Sequence, residues 1–93
     1  MGNLDVEIYM SNFKTFFDKN PEQLSQLIGV ADPDMFFDGV KKIVEFNSED
    51  DEKPLEPTRK QLIDLIVKLN GDKNVVDKII PYMQHHMGLI CMN

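Results

Sequence analysis

Residues 58–71, TRKQLIDLIVKLNG, read as one helix with both ends marked. Thr58 followed by Gln61 is the capping-box pattern, in which a hydroxyl and a side-chain amide serve the orphan amides of the first turn. Gly71 stands where a left-handed C-terminal cap is wanted. Six of the eight residues 62–69 are apolar, and at about 100° per residue they cover roughly 200° of the helix. Lys60, Asp64 and Lys68 are left on the remaining strip. An arc that wide exceeds the stripe of an ordinary surface helix, about 100°. The pattern therefore predicts a central buried helix over 59–70, enclosed by the rest of the chain.

Downstream, Asp72 or Asn74 is the cap of a last helix, and Val75, Val76, Ile79, Ile80, Tyr82, Met83, His86 and Met87 share one wide face. The phase carries straight through Pro81. One helix over 73–87, kinked at Pro81 where the bond to the Asp77 carbonyl is lost, accounts for this better than two. Gly88 ends it, and 89–93 form an apolar tail.

Upstream, 47–57, NSEDDEKPLEP, breaks every period. Glu49, Asp50, Asp51 and Glu52 are four consecutive acids, and Pro54 and Pro57 forbid continued helix. This is the longest loop and the expected site of greatest mobility, lying within one domain spanning 1–93. Before it, Asp32-Pro33 is a cap followed by proline at the first helical position. Phe36, Phe37, Val40, Ile43 and Val44 then gather within about 120°, with Met35 and Phe46 off that stripe and Gly39 at its edge, where a missing side chain permits close helix contact. Asn20-Pro21 repeats the start signal for a short helix bearing Leu24, Leu27 and Ile28, stopped by Gly29. The first helix, 5–20, places Val6, Tyr9, Met10, Phe13, Phe16 and Phe17 on one face, leaving Leu4 and Ile8 outside it. No run alternates with period two. The fold class is all-α: a compact bundle of about five helices at 5–20, 21–28, 33–46, 59–70 and 73–87.

Sixteen acids against ten bases give a net charge of −6, and Arg59 is the single arginine. A duplex or an anionic membrane demands a cationic face that this composition scarcely supplies, so direct nucleic-acid binding is not expected. Cys91 has no second cysteine to pair with, which favours a reducing compartment, with cytoplasm the default. No run approaches the ~20 apolar residues of a membrane span. Met1-Gly2 lacks the Ser or Thr that an acylation signal needs at position 6, where Val6 stands, and the C-terminus is one residue short of a prenylation box.

Chemistry-bearing patterns are sparse. Ser11, Ser25 and Ser48 lie in no nucleophile-elbow context, no glycine-rich phosphate loop occurs, and catalysis is not expected. The acids at 49–52 lack the alternation and the glycine turn of a calcium loop. They are a solvated run, with recognition of a basic partner as the sharper alternative. His85 and His86 point about 100° apart on a helix and cannot share a metal, so neither metal nor cofactor is expected. His86 lies amid Ile79, Met83 and Met87, as a neutral core-edge histidine or a pH-sensitive contact, since imidazole ordinarily titrates near ~6.5. Met83, Met87, Leu89 and Ile90 make the C-terminal end adaptable, suited to core filling or to an interface. The expected role is a small acidic protein-binding or regulatory module acting by surface contact. The alternatives are an inhibitor that mimics nucleic acid and a subunit of a homo-oligomer such as a homodimer.

Overall fold

The structure is a computed structural model that describes residues 3–50, 52 and 54–83. Among these, the secondary structure is helical throughout, in five elements. They are α1 (Asn3–Lys19), α2 (Pro21–Ile28), α3 (Pro33–Ser48), α4 (Arg59–Lys68) and α5 (Lys73–Met83). The Cα radius of gyration is 12.4 Å, close to the value of about 12.3 Å for a folded chain of this length. α1 packs on α2 and α3, α3 on α4, α4 on α5, and α5 back on α2, so the helices close around one hydrophobic cluster.

α1 supplies the largest share of that cluster. Val6, Tyr9, Met10, Phe13, Phe16 and Phe17 are all buried, and Leu4 and Ile8 are exposed, as the periodicity predicts. Four aromatic side chains on one stripe bury a large area and meet in stacked, tilted and edge-on pairs. Phe36 of α3 lies 5.7 Å from both Phe13 and Phe17, the second contact nearly perpendicular at 86°.

The helix ends follow the sequence with two changes of role. Asp32 caps α3 by accepting from the Asp34 amide at 2.9 Å, and both bonds of the Thr58 and Gln61 capping box are present. Gly29, at φ +61°, ends α2. Asn20 precedes α2, but its side chain makes no cap there. It donates instead to the Phe16 carbonyl at 2.8 Å, finishing α1. After α4 the left-handed position belongs to Asn70, at φ +59°, not to Gly71. The Gly71 amide donates to the Ile66 carbonyl at 2.9 Å and the Asn70 amide to the Val67 carbonyl at 3.1 Å, the Schellman pattern. Gly71 is required for another reason. A Cβ there would run into the Leu27 carbonyl and the Ile66 side chain, because the α4–α5 turn is pressed against the end of α2. The neighbouring Asp72 amide donates to that same Leu27 carbonyl at 2.9 Å. Asp72, not Asn74, caps α5, accepting from the Asn74 amide.

The enclosure expected for 59–70 is not confirmed. Leu62 and Ile66 are buried, but Ile63, Leu65 and Leu69 are only half-buried and Val67 is 55% exposed. Its main neighbours are α3 and α5. Two flanking helices leave the outer side of α4 to solvent, however apolar its sequence. The most deeply buried surface belongs instead to α1. α5 carries through Pro81 to Met83, and the remainder of the expected helix, 84–87, lies outside the described residues.

α3 runs two residues past its expected end, to Ser48, and Asn47 is 3% exposed, a polar side chain within the core. It falls on the stripe of Phe36, Val40 and Val44. Its Nδ2 reaches the Leu55 carbonyl at 3.3 Å, the Glu56 carbonyl at 3.4 Å and Gln61 Oε1 at 3.2 Å. Leu55 and Pro57 are buried. The second half of the 47–57 loop is thus fastened to α3 and α4.

Candidate interaction surface

α3 and α4 run antiparallel, since Asn47 near the end of α3 meets Gln61 at the start of α4 while Gly39, farther up α3, meets Leu65 farther down α4. A Cβ on Gly39 would stand 2.5 Å from a Leu65 methyl, so the missing side chain is what lets the helices approach. The close contact expected at Gly39 is present. Along the outer side of this pair runs an open groove of about 570 Å³. Met35, Gly39 and Ile43 of α3 and Leu65 and Leu69 of α4 supply its apolar lining. Its charged lining is Asp38, Lys42, Asp64 and Lys68, two acids and two bases in a chain that carries −6.

Met35, a lining residue, and Phe46, which helical periodicity puts on the same face of α3 beyond the lining, are each 59% exposed. They are eleven residues apart, so the strip extends about 16 Å along α3, three helical turns. Helical periodicity explains the arrangement: 35, 39, 42 and 46 fall within about 60° of one another, centred roughly 125° from the core stripe. Lys42 Nζ lies 3.4 Å from Asp38 Oδ2 within the same helix.

Of the residues singled out in the acidic run, Glu49, Asp50 and Glu52 are exposed and follow directly on α3. The Glu52 amide donates to Asp50 Oδ1 at 3.0 Å, a local turn that holds these two together. Asp51 lies outside the described residues, as do His86, Met87, Leu89 and Ile90. Met83 closes the described part of α5. The groove itself was missed by the sequence reading, although Met35 and Phe46 off the stripe and Gly39 at its edge were its signal.

Two ionisable groups near α4 are perturbed. Burial pushes the Glu56 carboxyl above its ordinary value. Asp77 is held below its own, first by its hydrogen bond from Arg59, whose Nη2 donates to Asp77 Oδ2 at 3.1 Å. This pair joins the start of α4 to α5 and occupies the single arginine. Among the described residues, no helix is long and apolar enough to cross a membrane. Comparison with family models, with curated proteins and with solved structures returns no match.

Proposed function

We propose that this chain is a small, non-catalytic protein-binding module that acts by surface contact and docks its partner along the α3–α4 groove. The observation that carries the reading is the apolar lining of Met35, Gly39, Ile43, Leu65 and Leu69, with Met35 59% exposed and Phe46, equally exposed, on the same face of α3 beyond the lining. A strip of three turns between two helices is the size that an amphipathic helix fills with anchors at i, i+3 or i+4, and i+7. Methionine adapts to such a contact and the phenylalanine ring contributes area at small entropic cost. Glu49, Asp50 and Glu52 lie beyond the Phe46 end, outside the groove lining. Mimicry of nucleic acid receives less support, because Lys42 and Lys68 interrupt the acids along the groove. A reducing, cytoplasmic setting and a bend of α5 at Pro81 belong to the same proposal, resting on the lone Cys91 and on the amide that proline lacks.

A photo-crosslinking side chain placed at Phe46, and separately at the exposed Ser25 of α2 as a control, tests this in living cells. The expected result is a discrete protein adduct from position 46 and none from 25. No adduct from 46, or equal adducts from both positions, contradicts the reading.

A further inference from the structure

We infer that the occupant of the α3–α4 face is a second copy of this chain, related by a two-fold axis that lies in the interface and crosses both helices at the Gly39–Leu65 contact. This rests on the reading of that face as a docking surface, and the positions of its charges select the partner.

Each helix carries one acid and one base four residues apart on the groove: Asp38 and Lys42 on α3, Asp64 and Lys68 on α4. The midpoint of the first pair is position 40, next to Gly39, and the midpoint of the second is position 66, next to Leu65. Gly39 and Leu65 touch. Both charge pairs are therefore centred at one level of the structure. A two-fold axis at that level lays α3 antiparallel on its symmetry mate, and α4 likewise. Asp38 then meets Lys42 of the other copy and Lys42 meets its Asp38, while Asp64 and Lys68 do the same one helix over. An isologous interface needs this self-complementarity, in which residue i contacts j and j contacts i.

The apolar residues obey the same operation. Met35 lies five residues before the α3 midpoint and Phe46 six after it, so each is brought opposite the other across the axis. Two sulfur–aromatic contacts result, and the two most exposed apolar side chains of the face are covered together. Antiparallel pairing also opposes the helix dipoles. It sends the two acidic runs to opposite ends, about 30 Å apart at about 1.5 Å per residue, several times the Debye length of about 8 Å at physiological salt. The footprint is modest, about 16 Å along α3 by two helix widths of about 10 Å. That is small for a permanent interface, so the dimer is reversible and depends on concentration.

Sedimentation equilibrium of the full chain, up to millimolar concentration, tests this with variants of defined register. Wild type is expected to rise with concentration from 10.7 kDa toward twice that mass. Met35→Asp or Phe46→Asp raises Kd by about tenfold or more, while Ser25→Asp, on the exposed side of α2 outside the groove, leaves it unchanged. Asp38→Lys and Lys42→Asp each weaken the dimer, and the combined Asp38→Lys/Lys42→Asp chain regains it, a rescue that simple misfolding does not produce. A dimer insensitive to Met35→Asp and Phe46→Asp, or a double exchange no better than either single one, overturns the inference. So does a chain that stays at 10.7 kDa throughout. In that case an adduct from position 46 with a different protein leaves the docking reading standing, and no adduct removes both.

Discussion

Asn47 and Gln61 donate to each other's side-chain oxygens, Nδ2 to Oε1 at 3.2 Å and Nε2 to Oδ1 at 3.0 Å, across fourteen residues of chain. The same Gln61 oxygen accepts from the Thr58 amide at 2.9 Å, so the α4 capping box and the end of α3 are one network. This pair fixes where α4 begins beside α3, and thereby the groove between them. Replacing Asn47 with Ala strands the Gln61 amide and removes the donor to two loop carbonyls. A loss of about 1–3 kcal/mol is expected, read as a lower urea midpoint. Asn47→Asp is expected to be worse, because it buries a charge and turns a carboxylate oxygen toward those carbonyls.

Two glycines separate backbone crowding from side-chain crowding. Gly71→Ala drives a methyl into the Leu27 carbonyl, a rigid neighbour, and is expected to cost about 1–3 kcal/mol. Gly39→Ala meets only the end of Leu65, which can turn aside. Its cost is expected to be smaller, partly offset by the better helix propensity of alanine, about 1 kcal/mol. Thermal unfolding of the two variants side by side checks the order.

Glu56 gives a pH signature with a definite sign. Burial raises its folded-state value above the unfolded one, so between the two the native chain binds the proton more tightly than the unfolded chain. Stability attributable to this carboxyl therefore rises as pH falls through that window and is flat above it. Urea midpoints of wild type and Glu56→Gln, measured from pH 7 to 4.5, are expected to diverge in favour of wild type on the acid side. Parallel curves contradict this.

Glu49 and Asp50 follow the C-terminus of α3, where the helix dipole disfavours negative charge. Glu49→Gln with Asp50→Asn is expected to stabilise the chain by about 0.3–1 kcal/mol per residue at low salt. A stabilised variant with weaker partner binding would mark these acids as kept for recognition, and one with unchanged binding as kept for solubility.

Much of the fold was legible in local chemistry. The stripe of α1, Pro33 after Asp32, and Thr58 with Gln61 each satisfy a short-range rule, and each element stands where that rule puts it. The departures have tertiary causes. Val67 is apolar yet exposed because only two helices flank α4 closely. Gly71 answers to Leu27 of α2, more than forty residues upstream, which no pattern within 58–71 could reveal. Asn47 looked like the first loop residue because its side chain is polar, although its position on the α3 stripe was readable and its partners, at 55, 56 and 61, were not. The groove needed two helices brought together, so its residues were visible singly as misfits and only the structure unites them.

The most direct test places a nitroxide at Glu49→Cys in a Cys91→Ser chain, mixes it with an unlabelled-spin, isotopically labelled copy, and records which amides of the second copy broaden. Antiparallel α3 pairing predicts broadening concentrated at the start of the partner's α3, around 31–35. Broadening centred on the partner's own 46–50, or none at concentrations where the chain sediments as a dimer, would contradict the account.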